Sequence, residues 1–108
     1  MQQLKQLQII EQSNEVLIIL TPLETIHWDE FSVFSSELLQ HCPKLFPIGE
    51  PEVGADMHIT YFRFLGALFA IVYEGYSESI WISAQETQAE KNVRALYENL
   101  SIMIKTTD

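Results

Sequence analysis

The chain contains little cysteine, glycine, proline or long apolar sequence, and each shortage excludes a class of protein. Its single cysteine, Cys42, allows no intramolecular disulfide and favours a reducing compartment. Four glycines and four prolines are too few for a collagen-like or low-complexity chain. The longest charge-free stretch, residues 64–73, is shorter than the roughly 20 apolar residues that span a bilayer. No charged segment followed by a long apolar run opens the sequence, so we expect no signal peptide and a cytoplasmic protein.

Positive charge is also scarce. Fifteen acidic residues against six basic ones give a formal net charge of -9. Nucleic acids and anionic membranes are bound through clustered lysine and arginine, whereas the basic residues here are scattered singly. We therefore expect neither as a partner. The acidity either serves solubility or steers a protein partner that has a basic surface.

Apolar patterning predicts one α+β domain over residues 1–108, because a chain of this length normally forms a single core. Alternating or continuous apolar runs are typical of strands, and apolar residues at helical spacing are typical of helices. The predicted strands cover residues 4–10, 16–20, 57–64, 67–73 and 79–82. The element order is therefore β-β-α-β-β-β-α. This order predicts a two-layer sandwich, with an antiparallel five-stranded sheet and two helices.

Capping signals locate the two predicted helices. The first begins at a capping box at residues 21–24 or at a second start near Thr25. It ends at Cys42, because Pro43 disfavours helical geometry in the residue before it. The second begins at a capping box at residues 83–86 and presents a narrow apolar stripe. The stripe contains Ala89, Val93, Leu96, Tyr97, Leu100, Met103 and Ile104.

Residues 43–56 are predicted to be a long loop, because they hold three of the four prolines and two of the four glycines. A loop of this length in a small domain is often functional. It is either a crossover that returns the chain to the sheet edge or a site in its own right.

The predicted strand at residues 67–73 is apolar on both faces, so both faces require cover. Either the helices lie on opposite faces of the sheet, or another chain or a ligand covers the second face. Aromatic residues are enriched in the centres of interfaces. Trp81, Tyr73, Phe69 and Tyr61 are the aromatic candidates for that face, and homodimerisation through the sheet is our main hypothesis.

No sequence motif names a reaction. The dinucleotide-binding, phosphate-binding, zinc-protease and serine-hydrolase signatures are all absent. His41, Cys42, Asp56 and His58 carry the atoms that zinc prefers, but their spacing fits no established zinc site. Cys42 lies at a predicted helix C-terminus, where a reactive thiolate is not favoured. We therefore expect no metal, no cofactor and no catalysis.

Arg63 is the only charged residue within an otherwise apolar and aromatic strand. Arginine suits bidentate binding of a carboxylate or phosphate, although a charge also protects an edge strand from aggregation. If a ligand pocket exists, Arg63, Tyr61 and His58 are the residues expected to line it. The sequence thus favours a non-enzymatic protein–protein interaction module. The alternatives are a small-molecule-binding domain anchored by Arg63 and an enzyme whose site lies in the proline-rich loop.

Overall fold

Six strands form one antiparallel sheet in this computed structural model, which describes residues 4–12 and 14–104. The strand order across the sheet is β1-β2-β6-β5-β4-β3. The strands are β1 Leu4–Gln12, β2 Glu15–Pro22, β3 Phe46–Val53, β4 Met57–Phe64, β5 Ala67–Glu74 and β6 Ser79–Ala84. The helices are α1 Phe31–His41, α2 Thr87–Glu90 and α3 Val93–Leu100, with 3-10 turns at Trp28–Glu30 and Ser101–Met103.

The α+β class agrees with the sequence prediction, but the predicted five strands and two helices are wrong. The additional strand, β3, lies within the segment that the prolines and glycines predicted to be a loop. It pairs with β4 at the edge of the sheet, with a register shift between Ile48 and Glu52. An edge strand tolerates proline because one side of its backbone has no partner strand. Gly49 supplies a left-handed backbone, with φ of 67°, inside the shift.

The helices also start later than the capping signals predicted. Thr21 lies in β2, and α1 begins only at Phe31, after a 3-10 turn in which Glu30 accepts a hydrogen bond from the His27 amide. The predicted end of α1 at Cys42 is confirmed, since Cys42 caps the helix. Ser83 remains in β6 because it pairs with Leu17 and Ala70 on the neighbouring strands.

The last helical segment is divided into α2 and α3 instead of running unbroken. Its predicted apolar stripe is nevertheless largely confirmed. Ala89, Val93, Leu96, Leu100 and Met103 are buried. These side chains join those of α1 in one hydrophobic core with one face of the sheet.

The core takes alternate residues from the inner strands, whereas the edge strand β3 contributes none. Phe69, Ile71 and Tyr73 of β5 belong to the core cluster that holds the helices, whereas Ala70 and Val72 do not. A ring contact agrees with this division of β5 between the two faces, because the ring centroids of Tyr73 and of Phe31 in α1 lie 5.1 Å apart. All the helical side chains of the core cluster therefore pack on one face, which we call the helix-covered face. We call the other the open face.

Candidate functional site

The open face carries two adjacent rows of side chains that run across all six strands. Directly paired residues on neighbouring strands share a face of the sheet, so the rows follow from the observed register. One row consists of Ile48, Tyr61, Ala70, Ser83, Leu17 and Ile10. The other consists of Glu52, Ile59, Val72, Trp81, Ile19 and Gln8. Of these twelve positions only Glu52 is charged, and it lies on the edge strand.

Trp81 occupies the middle of this surface, between Val72 and Ile19. Its side chain is half-buried although no core side chain of a helix packs on this face. Val72 is only 5% exposed, and Ala70 1%, because the larger neighbours cover them. We call these two rows the central rows. Three further charged residues of the open face lie outside them, at Arg63, Glu74 and Glu15. The centre of the open face is thus apolar in a chain whose formal net charge is -9.

The structure separates the three residues predicted to form an interface. Trp81 lies on the open face, together with the fourth aromatic candidate, Tyr61. Tyr73 and Phe69 lie on the helix-covered face, where both are fully buried. Successive strand residues point to opposite faces, and β5 is apolar at both sets of positions. An interface on the open face therefore includes Trp81 but neither Tyr73 nor Phe69.

The three residues predicted to line a ligand pocket are likewise divided between the faces. Arg63 and Tyr61 lie on the open face, whereas His58 is buried on the helix-covered face. The Arg63 guanidinium donates to the carbonyl of Gly66 at 3.0 Å and lies 3.8 Å from the carboxylate of Glu86. The Tyr61 hydroxyl donates to Glu52 at 3.1 Å, and this bond raises the pKa of the phenol. These residues do not converge on one cavity.

A polar cluster that the sequence did not predict joins three segments at one end of the sheet. Glu78 Oε2 lies 2.6 Å from His27 Nδ1 and 3.5 Å from the Tyr73 hydroxyl. The Tyr73 hydroxyl also donates to the carbonyl of Ile26 at 2.8 Å. The hydrogen bond to Glu78 raises the pKa of His27, and burial raises that of Tyr73. No spacing rule relates His27 to Glu78, which follows it by 51 residues, so only the fold brings them together.

Comparison with known proteins places the chain in a family without assigning it an activity. Residues 7–101 match a family model described as a protein of unknown function, DUF3630. The chain belongs to this family. No curated protein and no solved structure matches it. The function of this DUF3630 member must therefore be inferred from its own residues.

The residues considered above for metal binding and nucleophilic chemistry do not form a cluster. Cys42 is 2% exposed, and its burial raises the thiol pKa to about 11, which disfavours the reactive thiolate. Within residues 4–12 and 14–104, no group of three or more histidine, cysteine, aspartate or glutamate side chains is placed to hold a metal ion. None of the helices in this part of the chain is both long and apolar enough to cross a membrane.

His58 is expected to make the fold sensitive to acid. Its ring packs edge-on against Phe31 at 5.0 Å, and its buried Nδ1 has no hydrogen-bond partner among the described residues. Burial lowers its pKa from 6.5. As the pH falls below 6.5, the unfolded chain binds a proton that the folded chain resists, so the free energy of unfolding decreases. This decrease continues until the pH falls through the lowered folded-state pKa.

A His58→Leu variant is expected to be more stable at neutral pH by about 1 kcal/mol, because an unpaired buried polar atom is removed. It should also lose less stability between about pH 7 and about pH 5. Urea unfolding across this range measures both effects. His41→Leu, at an exposed histidine, is the matched control and should show the acid dependence of the unmodified protein. A His58→Leu protein with unchanged acid dependence would contradict this role.

Proposed function

We propose that this protein is a non-enzymatic protein–protein interaction module that forms a homodimer through the open face of its sheet. The observation that carries the proposal is the pair of central rows, which cross six strands with a single charged residue. An antiparallel sheet with one face in water normally alternates apolar and polar residues. On the open face, apolar side chains occupy positions where a water-exposed face would carry polar residues. They are Ile19, Ile59, Val72 and Trp81.

The open face is the surface on which a second copy of the chain meets the least charge repulsion. Two molecules of formal net charge -9 repel each other across most of their surfaces. Stacking of two open faces brings the apolar side chains of the central rows together and places few like charges directly opposite each other. A two-fold interface needs one surface that is complementary to itself, and central rows that are apolar except for Glu52 at the sheet edge meet that condition. The acidic surface outside the central rows remains available to a second partner with a basic surface.

The dimensions of the open face also suit a dimer. Neighbouring strands are about 4.8 Å apart and residues rise about 3.3 Å along a strand, so the face measures roughly 24 Å by 20 Å. Stable interfaces bury roughly 800 Å² on each partner. The flat area of the face is about 500 Å² by these dimensions, and protruding side chains such as Trp81 increase the area that can be buried. Stacked sheets pack about 10 Å apart through interdigitated side chains.

Molar mass in solution tests the proposal most directly. Light scattering on a sizing column, repeated over a hundredfold range of about 1 to 100 μM loading concentration, should give twice the chain mass throughout if the dissociation constant is below about 10 nM. High salt should not dissociate this dimer, since its contact is apolar and screening weakens exposed charge pairs. A monomer at every concentration would exclude the homodimer.

A further inference from the structure

A cleft opens at the end of the sheet where β2 separates from β6. The last residue pair between these strands is Leu20 with Ile80, and beyond it β2 continues beside β1. The resulting cleft has a volume of about 460 Å³, within the range of roughly 300–1,000 Å³ usual for small-ligand sites. Its lining combines hydroxyl groups, apolar side chains and two opposite charges. The charged residues are Lys5 and Glu78, and the hydroxyl residues are Thr21, Thr25, Ser77 and Ser79.

Lys5 lies at an irregularity of β1. The register between β1 and β2 shifts between Leu4 and Gln6, so Lys5 is the additional residue. Such bulges are found beside functional sites, where they redirect a side chain. Lys5 lines the cleft but forms no ion pair within the part of the chain that the structure describes. Its ammonium group is therefore available to an anion in the cleft.

Glu78 supplies the opposite charge from the other wall. Its φ of 57° is in the left-handed region, which disfavours residues with a side chain. Both of its intramolecular hydrogen bonds, from His27 and Tyr73, go to Oε2. No described residue bonds to Oε1. The carboxylate is thus held in place through one oxygen while the other remains free to accept a hydrogen bond.

We propose that this cleft binds a small zwitterion, an α-amino acid. The Lys5 ammonium would pair with the ligand carboxylate, and Glu78 Oε1 would accept from the ligand ammonium. Thr25 and Ser79 add hydroxyl groups to the lining of the same cleft. The ligand side chain would lie along the apolar part of the lining that the dimer contact leaves open, at Pro22 and Leu23. This site adjoins the proposed dimer contact centred on Trp81, because Ile19 of the cleft lining pairs with Trp81 on the open face.

The test uses the full chain and the twenty proteinogenic amino acids as probes. Each is added singly, thermal unfolding is recorded, and the probes that stabilise the protein are titrated while backbone amide NMR signals are followed. At least one probe should raise the unfolding temperature in a dose-dependent way, since a ligand of the folded state stabilises it. The amide signals of Thr21, Thr25 and Ser79 should move together. If no probe shifts these signals, the proposal is overturned.

Lys5→Met should weaken the binding of such a probe at least tenfold, because charged hydrogen bonds typically contribute that much. Lys44→Met is the matched control, since Lys44 is exposed and lies outside the cleft, and it should bind normally. The same ligand without its amine, or without its carboxylate, should also bind at least tenfold more weakly. Equal binding by either analogue, or by Lys5→Met, would overturn the zwitterion assignment. The molar mass of Lys5→Met, measured by light scattering, should equal that of the unmodified protein, because Lys5 lies outside the central rows. Failure of the ligand site and failure of the dimer are therefore distinguishable.

Discussion

The Trp81→Glu variant is expected to be a folded monomer. Trp81 lies in the middle of the central rows, and a two-fold interface would bring the new carboxylate of each copy into the same apolar contact. Central aromatic residues of interfaces typically contribute about 2 kcal/mol or more each. With both copies changed, the loss is about 4 kcal/mol, or roughly a thousandfold in the dissociation constant. Light scattering measures the mass, and circular dichroism shows whether the sheet is retained.

Two further variants separate the interface from the fold. Val33→Glu places the same charge on the exposed side of α1, where the residue is 60% exposed, and should remain dimeric. Ile48→Glu changes a central-row residue at the sheet edge that is already 37% exposed, so it should weaken the dimer without unfolding the chain. A folded Trp81→Glu protein that remains dimeric would show that the open face is not the interface.

The Phe69→Ala variant is expected to lose about 4 kcal/mol of stability, in the range observed for fully buried aromatic residues. Phe69 has no solvent exposure, stacks on Phe62 at 5.7 Å and meets Phe64 edge-on at 6.5 Å. Removal of its ring leaves a cavity that these neighbours fill only in part. Urea unfolding at one fixed protein concentration measures the loss, because the stability of a dimer depends on concentration.

Phe69→Leu is the matched control, since it keeps most of the buried volume and should lose less than half as much stability as Phe69→Ala. Both variants should retain the mass of the unmodified protein wherever they are folded, because Phe69 lies away from the open face. A stable, monomeric Phe69→Ala protein would instead place this ring in the interface, as its sequence pattern first indicated.

Several local features could be predicted from the sequence because they depend on neighbouring residues. The branched run in β2 and the apolar run in β5 are strands, as their patterns indicated. The end of α1 follows from Pro43, which constrains the backbone of Cys42 before it. The stripe on α2 and α3 is buried because its spacing places those side chains on one side of the helical segment.

Other local patterns were overridden by distant contacts. β3 carries Pro47, Pro51 and Gly49, which favour a loop, yet pairing with β4 makes it a strand. Glu86 fits a capping box by its spacing from Ser83, but its carboxylate accepts a hydrogen bond from the Leu68 amide on β5. The Glu78 cluster arises in the same way, since strand pairing brings the β5–β6 turn beside the segment before α1.

The sequence by itself determined that β5 is apolar on both sides and that the second face of the sheet requires an explanation. It did not determine which residues belong to that face. Phe69 and Tyr73 are aromatic, like Trp81, so composition alone does not distinguish an interface residue from a core residue. Only the tertiary structure decided this, when the packing of α1 and α3 covered Phe69 and Tyr73 and left Trp81 on the open face. The physical reason is the two-residue period of a strand, which assigns alternate residues to opposite faces but does not say which face the helices cover.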